Sequence, residues 1–222
     1  MGAQSSQLKC EAPKKLIYFG VKAVALPATI ALEIGNVDYE AQKVDMDGWK
    51  DLKPTMPTGV LPVAVMADGS MLPESGAIQR MCAAAVGLLG EGKDFYTSEL
   101  LMGLNNDLNK KVSGNVPTAF TVESWTAEQT QNVHDKVKPE VLEFLKKYEQ
   151  FLKGDKFTTS GITIGEIELF CKLDMFKAAI PEVLEGGLKA FYARMGAVPG
   201  VKKVMDGKSK FGELIDYMVP LP

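Results

Sequence analysis

Met56-Pro57-Thr58-Gly59-Val60-Leu61-Pro62-Val63, continued by Asp68-Gly69-Ser70-Met71-Leu72-Pro73-Glu74-Ser75-Gly76-Ala77-Ile78, is the stretch that decides how the chain reads. It runs as loop, proline, short strand, turn and strand, then an acidic residue and a serine at a helix start. Asp68-Gly69 turns a hairpin between residues 62–66 and 70–72. A helix N-terminus carries unpaired N–H groups and a partial positive charge, so Glu74 and Ser75 stand where carboxylates and phosphates bind. Pro62 donates no ladder bond and tolerates a cis Leu61-Pro62 peptide, which lets the Leu61 backbone face outward. A backbone edge beside a helix N-terminus suits a small peptide with a carboxylate. The same residues also read as a plain hairpin followed by a capped helix.

Toward the amino end, Lys15-Leu16-Ile17-Tyr18-Phe19 is a short strand closed by Gly20. Residues 25–34 read as a helix, with Leu26, Ile30 and Ile34 four apart, Pro27 in the first turn and Gly35 at the C′ position. Residues 37–44 form a second strand, parallel to the first through a right-handed crossover. Residues 47–53 are a short irregular piece holding Trp49. Beyond the hairpin, residues 75–89 form an amphipathic helix carrying Ile78, Met81, Cys82, Ala85, Val86 and Leu89. This βαβ-ββα order makes an α/β domain over residues 15–92, preceded by a disordered tail at 1–14.

After Gly92 no strand signal remains, and residues 93–222 read as an all-α domain. Leu101, Leu104, Leu108 and Val112 mark a helix over 99–112. Thr126-Ala127-Glu128-Gln129 is a capping box opening a long helix with a bend at Pro139. Thr163-Ile164-Gly165-Glu166 is a second box, and the helix it opens is apolar around much of its circumference, as a central helix should be. Residues 184–197 and 201–205 add two helices, and residues 218–222 form a short apolar tail.

Composition narrows the function. The chain has 222 residues, 46% hydrophobic and 24% charged, with a net charge of −3 and no basic block, which argues against nucleic acid as a partner. No apolar run approaches the ~20 residues of a membrane span, and residues 1–13 lack a signal peptide's apolar core. Met1-Gly2-Ala3-Gln4-Ser5-Ser6 fits the myristoylation pattern, and one acyl chain at Gly2 gives only weak, reversible membrane contact. The three cysteines, Cys10, Cys82 and Cys171, have neither metal-ligand nor redox spacing, so a reducing, cytoplasmic setting is expected. Cys82 and Cys171 read as small core residues. His134, the single histidine, lies on a polar helix face, which leaves no His-based metal site or Ser-His or Cys-His triad.

The combination resembles the glutathione transferase family over residues 15–205. It looks closest to the sigma class, the tyrosine-type group that includes prostaglandin D synthases. Leu16-Ile17-Tyr18-Phe19, Asp38-Tyr39-Glu40, Trp49, Lys53, Pro57-x-Gly59 and Leu61-Pro62 match that pattern in register. The resemblance implies a thioredoxin-like α/β domain before an all-α helical domain, and a homodimer. Glutathione is the implied co-substrate. Tyr18 would hydrogen-bond its sulfur, Trp49 and Lys53 would hold the glycyl end, and Leu61 would pair with the cysteinyl unit beside cis Pro62. Glu74 and Ser75 would hold the γ-glutamyl end, and Asp107 would reach the neighbouring subunit's glutathione amine. No metal is implied.

Two positions depart from the sigma pattern. Lys22-Ala23-Val24-Ala25 stands where Arg-Gly-Arg-Ala is usual, so apolar Val24 replaces the arginine that braces the tyrosine. Val60 stands where lysine or glutamine is common. Reduced activity follows from the first departure. The expected function is conjugation of the glutathione thiolate to small hydrophobic electrophiles, as in detoxification, with Phe19, Leu104, Leu108 and the carboxyl-terminal tail as walls of the second site. The alternatives are a glutathione-dependent isomerase on the same site and a non-catalytic structural or ligand-binding relative. A thiol oxidoreductase would want a cysteine near Tyr18, and the nearest, Cys10, is in the tail.

Overall fold

The computed structural model describes residues 10–118 and 124–218. The acylation motif at Gly2, residues 1–9 of the tail and residues 219–222 lie outside them.

Four strands form the first sheet, in the order β3-β1-β4-β5. β1 (Lys15–Phe19) runs parallel to β3 (Glu40–Val44) and antiparallel to β4 (Val63–Val65), which pairs with β5 (Met71–Leu72). Alternation along β1 divides its side chains between two cores. Leu16 and Tyr18 join the main core beneath the helices. Ile17 joins a smaller cluster with Val44, Met56 and Val63, against which Phe19, Trp49 and Leu61 pack. This half is the expected thioredoxin-like arrangement, with helices α1 (Leu26–Ile34) and α3 (Ser75–Ala85) on one face.

Several boundaries differ from the sequence reading. The second strand starts at Glu40 rather than 37, and α3 ends at Ala85, with Gly87 left-handed. Residues 47–53 are not irregular: α2 (Met46–Leu52) forms there, followed by a 3-10 turn at Lys53–Thr55. Asp45 caps α2 by accepting the Gly48 N–H at 2.7 Å. None of its residues is buried, so it left no apolar period to read. Gly35 is not the left-handed residue after α1; its φ is −75°, and Asn36 takes φ 49°. Gly35 is needed for space instead, because a Cβ there would sit 2.2 Å from Val86 Cγ1.

The second half is helical: α4 (Lys93–Val112), α5 (Ala127–Asn132), α6 (Lys138–Glu149), α7 (Ile164–Phe176), α8 (Gly186–Gly196) and α9 (Pro199–Met205). α4 begins a turn and a half before the expected 99. The Thr126 box closes as read, with reciprocal bonds of 3.2 and 2.9 Å to Gln129. The irregularity expected at Pro139 is a π-turn over Val133–Val137, which absorbs the missing N–H and the ring's clash with the preceding turn. In the second box Glu166 reaches back to the Thr163 N–H at 3.3 Å. Glu166 is fully buried and also accepts from Thr158 at 2.7 Å and Arg194 at 2.8 Å, tying α7 to α8.

One strand does follow Gly92, against expectation. β6 (Ile215–Asp216) pairs in parallel with β2 (Val21–Lys22), closing the chain's end onto the segment after β1. Two exposed residues carry no alternation, which is why it went unread. Ile215 N–H donates to Gly20 O at 3.0 Å, Lys43 Nζ to Glu213 O at 2.7 Å, and Lys22 pairs with Asp216 at 2.9 Å.

The halves pack helix on helix, with α1 against α7 and α9. At α9 a Cβ on Gly200 would lie 2.6 Å from Ile34 N. α7 lies equally close to α4: a Cβ on Gly165 would fall 2.2 Å from Ser98 O, while Ser98 Oγ accepts the Gly165 N–H at 3.0 Å. Gly165→Ala therefore lowers the unfolding free energy by about 3 kcal/mol, the upper range for overpacking. A denaturant midpoint equal to wild type would contradict this close approach.

Candidate functional site

Tyr18 is one residue from the end of β1 and only 6% exposed. Its ring meets Phe19 edge-on at 5.7 Å, and Phe19 meets Trp49 at 5.6 Å. The Val24 backbone N–H donates to the Tyr18 hydroxyl oxygen, and Tyr217 lies close. Burial, with Tyr217 adding to it, pushes the phenol far above its ordinary range. Tyr18 is therefore a proton donor throughout the physiological range. Phe211 and Leu214, on the segment leading into β6, share a narrow crevice with Tyr18 and Phe19.

The other expected residues fall into two groups. Trp49 and Leu61 pack in the small cluster on the Phe19 side of the sheet. The Leu61-Pro62 peptide is cis, as expected. Lys53 is exposed, its stem 3.8 Å from where a Gly59 Cβ would stand. Glu74 and Ser75 lie at the start of α3 and line the cavity described next. Glu74 holds φ 78°, ψ 105°, rarely adopted by an L-residue. Asp107 is exposed on α4, pairs with Lys110 at 3.2 Å, and does not line the cavity described next.

A cavity of about 570 Å³ lies between the halves. Its walls come from the segment after β1 (Lys22, Val24), the start of α3 (Glu74, Ser75, Gln79, Arg80), α4 and its exit (Asn109, Val112, Val116), α7 (Glu168, Cys171, Lys172, Met175) and Tyr217. Tyr18 is not among these residues. Val24 and Tyr217, the two groups that act on its hydroxyl, both are. The walls expected from sequence differ: Leu108 is buried core, Phe19 packs on Trp49, and neither they nor Leu104 line the cavity. Val24, Val112, Val116, Met175 and Tyr217 take their place.

The polar floor was missed altogether. Gln79 Nε2 donates to Glu168 at 2.9 Å, and Lys172 Nζ donates to Asn109 Oδ1 at 2.7 Å. Arg80 forks onto Glu99 at 2.8 and 3.0 Å. Burial raises the Glu168 carboxyl and lowers the Lys172 ammonium, each against the pull of nearby opposite charge. The available signal was Glu168 and Lys172, four apart on a helix otherwise read as apolar. Cys171 packs against the main core and also lines the cavity, whereas Cys82 is fully buried. His134 is exposed beside Asp135, as its helix face implied. Among the described residues no group of acidic, cysteine and histidine side chains is placed to hold a metal ion.

Comparison with known proteins agrees with the resemblance read from sequence. Glutathione S-transferase 4 of Caenorhabditis elegans is 29% identical over 213 residues, covering 85% of this chain and 93% of that one. The sigma class GST of Fasciola hepatica superposes with a TM-score of 0.73 at 25% identity, covering 88% of this chain and 96% of that structure. The glutathione S-transferase of Ascaris lumbricoides superposes with a TM-score of 0.75 at 22% identity, covering 87% and 96%. No family model matches the chain. The chain is thus similar to glutathione transferases along nearly its whole length, in sequence and in fold.

Glu74 makes a direct prediction. A residue in its backbone region costs about 1–3 kcal/mol, and glycine's extra unfolded-state freedom offsets about 0.5–1 kcal/mol of the relief. Glu74→Gly therefore raises stability by about 1 kcal/mol in chemical denaturation. A loss of stability would show that the backbone there is unstrained.

Proposed function

We propose that this chain is a sigma-like glutathione transferase, adding the glutathione thiolate to a small, largely hydrophobic electrophile held between its two halves. The observation that carries this reading is a buried phenol, Tyr18, whose hydroxyl meets the Val24 backbone at the rim of a cavity that also opens on the start of α3. A free thiol, with a pKa near ~8.5, is mostly protonated at neutral pH and a poor nucleophile. An O–H donated to sulfur favours the thiolate, and the α3 N-terminus adds positive potential. With an aryl chloride, the thiolate forms a C–S bond to the ring carbon. Chloride leaves with its bonding pair, and the thiol proton passes to solvent. The same site runs an isomerisation when the sulfur is released again.

In this reading Trp49 and Lys53 hold the glycyl end of glutathione, and the Leu61 backbone beside Pro62 pairs with the cysteinyl unit. Glu74 and Ser75 hold the γ-glutamyl end. Val24, 52% exposed and apolar, brings no cation to Tyr18, and Lys22 is held by Asp216, so turnover is lower than with an arginine at 24. Asp107 serves the neighbouring subunit of a homodimer. Exposed apolar side chains support such an interface: Met46, Val60 and Met71 on the α/β half, Phe95 and Tyr96 on α4. Sedimentation of the intact chain as a dimer is expected, and a monomer would remove the role of Asp107. Among the described residues no helix is long and apolar enough to cross a membrane. We place the protein in the cytoplasm, with membrane contact only through an acylated Gly2.

A second reading, a non-catalytic glutathione or ligand binder, draws on the cover over Tyr18. With the phenol 6% exposed and Phe211, Leu214 and Tyr217 around it, a sulfur reaches it only if the β6 segment shifts. A glutathione-affinity resin and a conjugation assay with an uncharged aryl halide separate the two. The transferase reading predicts retention and turnover. It also predicts a ten- to hundredfold fall in kcat for Tyr18→Phe, the worth of one hydrogen bond to a charged sulfur, and a gain for Val24→Arg. Retention without turnover in the wild type supports the binder.

A further inference from the structure

Five charged side chains line the cavity, and their partners differ. Lys22 pairs with Asp216, and Arg80 forks onto Glu99. Glu74 is exposed at the mouth. Glu168 accepts from Gln79 at 2.9 Å. Lys172 has one neutral acceptor, Asn109 Oδ1, and among the described residues no carboxylate lies within ion-pair distance of its Nζ. Glu168, one turn earlier on the same helix, attracts it only from farther away.

An ammonium has three donors, so two remain for whatever enters the cavity. It is half-buried on the cavity wall, and it closes no ion pair with Glu168, the opposite charge that acts on it from one turn away. Burial already pulls its proton affinity down. Val112, Val116 and Met175 stand in the same cavity as apolar wall. A molecule matching this lining has an apolar body and an anionic end.

We propose that Lys172 is the anion-recognising group of the cavity and that the second substrate is an amphipathic acid. Its carboxylate or sulfonate pairs with Lys172, its apolar body lies against Val112, Val116 and Met175, and its reacting carbon faces the Val24 rim. The word substrate rests on the transferase reading; the anion site does not.

The test compares dinitrobenzoate with its uncharged methyl ester, neither of which carries the chloride that conjugation displaces, by calorimetric titration of the full chain saturated with glutathione. Wild type binds the acid at least about tenfold more tightly than the ester, as expected of a charge-assisted hydrogen bond. In Lys172→Met, and independently in Lys172→Gln, that ratio falls to about one. A wild-type ratio near one overturns the proposal. So does a variant that weakens both ligands by the same factor, because the ratio then stays high. Conjugation of chlorodinitrobenzoate and its methyl ester is followed in parallel. Absence of turnover with both in the wild type overturns the transferase reading, and the binding ratio still decides the anion site.

Discussion

The burial of one phenol organises this protein. Alternation along β1 sends Leu16 and Tyr18 toward the helices and Ile17 and Phe19 toward the small cluster with Trp49 and Leu61. A one-residue slip would exchange the two sets, so register is tightly specified. The strand ends just beyond Tyr18, where the chain turns to meet α1 and where β2 takes up β6. The hydroxyl is therefore held at the seam between the sheet, α1 and the carboxyl-terminal segment. Low polarity there keeps the proton on the oxygen, and the Val24 N–H gives the oxygen a partner.

The seam depends on close helix packing. Gly165 against Ser98 and Gly200 against Ile34 let helices approach nearer than any side chain would allow. Asp94 adds a polar tie. Ser160 and Thr159 donate to it, the Ser160 N–H at 2.6 Å, and together they hold its carboxyl down at about 2. That tie fixes the loop before α7, the helix that carries the cavity floor.

Much of this was legible before any coordinates. Thr126 with Gln129, and Thr163 with Glu166, announced two helix starts, because a capping residue and its reciprocal partner sit at a fixed spacing. Asp68-Gly69 announced the hairpin. What stayed hidden lacked a periodic signal. α2 buries nothing, and β6 is two exposed residues. The cavity floor was hidden for another reason. Gln79, Arg80, Glu168 and Lys172 come from helices whose apolar faces dominated the pattern, and polar residues among them gain meaning only once α3, α4 and α7 are brought together. Tyr18, Glu74 and Ser75 stand out in the sequence because each falls at an element's end. Glu74 and Ser75 line the cavity, and Tyr18 sits behind Val24 and Tyr217, which do.

The deciding measurement is the titration of glutathione's thiol while it is bound, followed by thiolate ultraviolet absorbance in a stoichiometric complex. The account predicts an apparent pKa at least about one unit below that of the free thiol, near ~8.5, because a phenol O–H and a helix N-terminus both favour the anion. A bound thiol that titrates with free glutathione would contradict it.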